Sequence, residues 1–103
     1  MEDYSPVVFS GAKNQLQKYF DVKRLKASTL PELEQQIASV VGNLLRTDLN
    51  KLLHILYRID VDEHQVKIAL TSASEEEVAF RIARLIIKRE LQKVQTRFII
   101  KQR

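Results

Sequence analysis

Residues 74–103 read SEEEVAFRIARLIIKRELQKVQTRFIIKQR. The stretch opens on Ser74-Glu75-Glu76-Glu77, and residues 80–103 hold eight bases against one acid. Acid first and base last is the order that a helix macrodipole favours. Ser74 with Glu77 three residues on has the spacing of a capping box, in which hydroxyl and carboxylate each satisfy a free backbone amide. Between them Val78, Ile82, Leu85, Ile86, Ile87, Leu91, Val94 and Phe98 recur at helical spacing. A long amphipathic helix is expected here, running to residue 97, about 36 Å at 1.5 Å per residue. Such a helix outruns neighbours of eleven or so residues. Its last turns are expected either to project or to pack on the N-terminal arm.

Its apolar side drifts around the axis. Val78, Ile82 and Leu85 face one way, whereas Ile87, Leu91, Val94 and Phe98 are rotated by more than a third of a turn. One bundle does not easily bury both groups. The second is expected to pack on the N-terminal arm, through Tyr19 and Phe20, or on a protein partner or second copy of the chain. An isologous dimer would use the same patch twice. Ile87, Leu91, Val94 and Phe98 are therefore the candidate interaction residues.

Working backwards, Thr29-Leu30-Pro31-Glu32 is a second capping box, with proline in a first turn where its missing donor is not needed. The helix it opens should reach residue 46, with Leu33, Ile37, Val40, Val41 and Leu44 on one stripe. Gly42 inside it costs about 1 kcal/mol against alanine, and close packing by a neighbouring helix is its expected use. Thr47 or Asp48 caps a further helix over 49–59. Leu49, Leu52, Leu53, Ile55, Leu56, Tyr57 and Ile59 cover more than half of its circumference, which predicts a place in the middle of a bundle. Asp60-Val61-Asp62-Glu63 repeats the cap pattern and opens a short helix to residue 71. Residues 1–28 are read as an irregular arm: Ser5-Pro6-Val7-Val8-Phe9-Ser10-Gly11 extended to a turn, then a short helix over 12–20. The expectation is one all-α domain, a bundle of four helices over 29–103 with that arm attached.

Composition narrows the functions. The chain has 103 residues and no cysteine, which excludes disulfides and thiolate metal sites. No apolar run approaches the ~20 residues that span a bilayer. The start Met1-Glu2-Asp3-Tyr4 is acidic where a secretory signal is basic, so a cytoplasmic protein without membrane contact is expected. The net charge of +4 is uneven: residues 61–79 hold one base and five acids, and residues 80–103 supply the excess of base.

The serines sit at caps and turns, no glycine-rich loop is present to cradle phosphate, and Glu75, Glu76 and Glu77 fan around a helix instead of converging. No catalytic constellation and no cofactor are expected. His54 and His64 come from different helices. With Asp60, Asp62 or Glu63 they do not form a zinc spacing, and both are expected at the surface.

Two nucleic-acid readings compete with protein interaction. Residues 52–70 imitate a helix-turn-helix, with Ile55, Ile59, Val61, Val66 and Ala69 at its apolar offsets. Leu56 and Asp60 replace the small residue and the glycine of that motif, and its reading face, Asp62, Glu63, His64, Gln65 and Lys67, repels phosphate. The other reading is the row Arg81, Arg84 and Lys88, a candidate polyanion surface on one sector of the last helix. Glu77 heads the row and can pair with Arg81, and Glu63, Asp62 or Glu34 can meet it across the bundle. No aromatic residues interleave with it to stack bases.

The stretches LLHILYRIDV at 52–61 and LIIKRELQK at 85–93 resemble small uncharacterised helical proteins of bacteria. The resemblance spans residues 20–97, rests on packing residues, and implies a fold without any site residue. A non-enzymatic interaction module acting through the C-terminal helix is the expectation, with nucleic-acid binding as the alternative.

Overall fold

The computed structural model describes residues 4–72 and 74–102. They form five helices: α1 Pro6–Phe20, α2 Leu30–Thr47, α3 Leu49–Ile59, α4 Glu63–Ala69 and α5 Glu75–Gln102. The architecture is the expected all-α bundle with a long C-terminal helix, and the short helix read over 12–20 starts earlier, at Pro6.

The additional turns lie in α1. Ser5 caps it, its Oγ accepting from the Val8 amide at 3.2 Å, and Pro6 occupies the first turn. Residues 5–11, expected to be extended, are thus helical from Pro6 onwards. Two valines and a glycine are poor helix formers, but Val8, Ala12, Leu16 and Phe20 all enter the common core, and that burial overrides local preference. From Pro6 to Ala27 the chain is part of the bundle and not an appended arm. Gly11 is not a turn residue: a Cβ there would lie 2.9 Å from Val94 Cγ1, so glycine lets α1 approach α5 closely.

The α1–α2 connection is held inward. Leu25 and Ala27 are buried, and their amides donate to Gln17 Oε1 at 2.8 Å and Gln36 Oε1 at 3.2 Å. The Thr29–Glu32 capping box forms as read from sequence. Asp48 caps α3 through the Lys51 amide at 3.1 Å, and Ser74 Oγ accepts from the Glu77 amide at 3.2 Å.

The α3–α4 corner differs from expectation. Asp60 does not start α4. It ends α3 in the left-handed region, at φ 67°, the place that glycine usually takes. Asp62 is the cap of α4, its Oδ1 accepting from the His64 amide at 3.0 Å. The corner is an ordinary helical one, and α4 has seven residues.

The central helix is α5, not α3. It packs most extensively on α2, then on α1, and also touches α3 and α4. Its 28 residues span about 42 Å, matching the longest dimension of the molecule, 42 Å. Only Leu52, Ile55, Leu56 and Ile59 of α3 are buried; Leu49, Leu53 and Tyr57 are exposed, Tyr57 at 83%.

Candidate interaction surfaces

The candidate interaction residues of α5 divide along the helix. Ile87 and Leu91 are each 2% exposed and belong to the core. With Leu30 and Tyr4 they line a cavity of about 340 Å³. Val94 is half-buried against Gly11. As a docking face, Ile87 and Leu91 are therefore corrected: both are buried in the core, and α1 approaches the rotated group at Val94 through Gly11. Phe98 lies beyond that cover at 39% exposure, followed by Ile99 at 50% and Ile100 at 63%. Ile99 and Ile100 were missed in the sequence reading, although two more isoleucines directly after Phe98 were the available signal.

A charged knot sets where α5 sits. Glu90 is 0% exposed, and neither of its carboxylate oxygens accepts a hydrogen bond among the described residues. Lys93 Nζ lies 3.5 Å from Oε2 and Arg97 Nη2 3.7 Å from Oε1. Burial of a carboxylate is strongly unfavourable unless cations compensate it. Lys93 also donates to the Ile59 carbonyl at 3.1 Å and the Tyr19 hydroxyl at 3.4 Å, and lies 5.6 Å from the Tyr19 ring centre. Arg89 donates to the Asp60 carbonyl at 3.0 Å and to Asp60 Oδ2 at 3.2 Å. Two cations of α5 thus meet the free carbonyls at the end of α3, where the helix dipole favours positive charge.

The candidate polyanion row is largely engaged within the chain. Arg81 pairs with Glu77 at 3.6 Å and Arg84 with Glu34 at 3.1 Å, both pairings being among those expected. Lys88 makes no ion pair among the described residues. His54 and His64 are both exposed, as expected, and no three metal-ligating groups converge among the described residues. No described helix is long and apolar enough to cross a membrane.

A second apolar surface lies at the α3–α4 corner. Leu49, Leu53 and Tyr57 follow one another at intervals of four along α3, so they share a side. Leu53 and Tyr57 open onto a groove of about 480 Å³ whose floor includes Leu56, Val61 and Val66. Its ionisable lining is Asp60, Asp62 and Glu63, with no base. The acidic residues that disqualify α4 as a reader of DNA therefore border an apolar slot.

No family model, curated protein or solved structure matches the chain.

Proposed function

We propose that the protein is a non-enzymatic helical interaction module that self-associates through the last turns of α5. One observation carries the reading: Phe98, Ile99 and Ile100 are exposed on a helix whose Ile86, Ile87 and Leu91 are buried. Three consecutive apolar side chains at a basic helix end leave a large share of their surface in water. Phe98, Ile99 and Ile100 fan around the helix end, so the apolar surface they offer wraps that end, and exposed apolar surface of this kind supports an interaction site. The polyanion reading has less support, since Glu77 and Glu34 engage two of the three cations in its row.

Sedimentation velocity from micromolar to hundreds of micromolar tests the proposal. The native chain is expected to shift towards a dimer with concentration, and the Phe98→Asp, Ile100→Asp variant to remain monomeric with unchanged helix content. A native chain that stays monomeric throughout the range refutes self-association.

A further inference from the structure

Resting on that reading, we infer that the occupant of the α3–α4 groove is the C-terminal end of α5 from a second copy of the chain, the two copies exchanging ends reciprocally. Two unmatched surfaces on one molecule support this. The groove is apolar along Leu53, Leu56 and Tyr57 and is bordered by carboxylates alone. The end of α5 is apolar at Phe98, Ile99 and Ile100, and residues 91–103 carry four bases and no acid, of which Lys93 and Arg97 face the single carboxylate of Glu90. Neither covers the other within the chain, because Leu53, Tyr57 and residues 98–100 all remain exposed.

Charge complementarity points to this pairing and against pairing each surface with itself. Two α5 ends side by side would bring base against base, and two grooves face to face would bring acid against acid. Asp60 is already held by Arg89. Glu63 is free to turn outward, since its pairing with Lys67 is a 4.0 Å contact between two largely exposed side chains. Basic residues entering beside Phe98 would find Glu63 and Asp62 at the groove edge.

Reciprocity follows from symmetry and area. A single helix end in a single groove buries less than the ~1,200 Å² of a stable interface. Two such contacts related by a twofold axis double the area and close the assembly, whereas a one-way contact would propagate into open chains. An amphipathic helix laid in an apolar groove is a common mode of protein recognition.

The absence of cysteine in the native sequence permits a direct test. Ile100→Cys and Leu53→Cys are made as separate chains, mixed in dilute solution and oxidised, with Lys18→Cys, on exposed α1 surface, as the collision control. The expected product is a disulfide-linked heterodimer joining positions 100 and 53, formed at least several-fold faster than any product with position 18. Leu53→Asp is expected to weaken the dimer about tenfold or more with unchanged circular dichroism. Lys101→Glu and Glu63→Lys should each weaken it, and mixing the two chains should restore association. If sedimentation shows a dimer but Leu53→Asp leaves it intact and position 100 links only to position 100, the groove assignment is overturned and self-association stands. If the native chain is monomeric, both are overturned.

Discussion

Replacing either helical glycine by alanine yields the same propensity gain, about 1 kcal/mol, yet the structure predicts opposite outcomes at the two positions. At Gly42 an added Cβ meets Ala79 Cβ and Arg46 Nη1 at 3.6 Å, ordinary van der Waals contact. The close approach expected there leaves room for a methyl, so Gly42→Ala should stabilise by about 1 kcal/mol. At Gly11 the Cβ would fall 2.9 Å from Val94 Cγ1, short of the ~3.5–4.0 Å optimum between carbons. Valine in a helix is confined to one preferred rotamer, so its methyl cannot swing aside and α1 must move off α5. Overpacking of this kind costs about 1–3 kcal/mol. Taking the middle of that range, Gly11→Ala should destabilise by about 1 kcal/mol after the propensity gain. Val94→Ala removes the obstructing methyls, and in that background Gly11→Ala should stabilise. Urea unfolding of the four chains in the cycle, followed by circular dichroism, gives the coupling directly, expected near 2 kcal/mol. If Gly11→Ala stabilises the native chain as much as Gly42→Ala does, α1 does not pack on α5 as described.

Three further outcomes follow from burial and charge. Leu91→Asp should destabilise by more than about 3 kcal/mol, because it places a carboxylate in the core, whereas Ile100→Asp should stay within about 0.5 kcal/mol in monomeric protein. Comparable thermal shifts in the two would contradict the division of α5 at Val94. Lys93→Met leaves the buried Glu90 carboxylate with Arg97 as its one remaining ion-pair partner among the described residues and should cost about 1–3 kcal/mol, most of it recovered by adding Glu90→Leu; no recovery in the double variant would mean that Lys93 acts through Tyr19 and Ile59 instead. The Thr29 hydroxyl, at 2.9 Å, and then the Ser28 amide hold the Glu32 carboxyl below its ordinary value of 4.5. Its ionised form therefore stabilises the fold above 4.5, and that contribution is lost as pH falls through the lowered value. The stability difference between native protein and Glu32→Gln should shrink on acidification, and a difference constant with pH would rule this out.

The caps were the most legible part of the fold. Thr29 with Glu32, and Ser74 ahead of Glu77, each satisfy amides within three residues, so spacing alone specifies them. Ser5-Pro6 has similar chemistry, but Val7, Val8 and Gly11 argue locally for extended chain, and only Val94 and the core on the far side make that stretch helical. Asp60 misled for a related reason. An acid before a helix reads as its cap, and nothing local shows that the residue has already been used to end α3 in the left-handed region. The rotation of Ile87, Leu91, Val94 and Phe98 was visible from periodicity. Which turn escapes cover depends on how far α1 reaches, and that is a tertiary fact. The excess apolar circumference of α3 was equally visible. It was read as depth in the core, whereas α5 holds that position and leaves Leu53 and Tyr57 outside.

The uneven charge of the chain acquires a physical meaning once its internal pairs are known. The bases of α5 find Glu77, Glu34, Asp60 and Glu90 inside the molecule. Those pairings use acids from α2, from the end of α3 and from α5 itself. Among the described residues, the carboxylates of Asp62 and Glu63, at the start of α4, meet no base of α5. Asp62 and Glu63 therefore keep a negative field beside the exposed Leu53 and Tyr57, and the end of α5 keeps an excess of base beside Phe98, Ile99 and Ile100. Fields of this kind guide encounter between copies and are screened beyond about 10 Å at 0.1 M salt. Association driven by the apolar contacts alone would persist in high salt. Association through the exchange of helix ends should form faster at low salt, and raising the ionic strength should slow its formation more than it speeds dissociation.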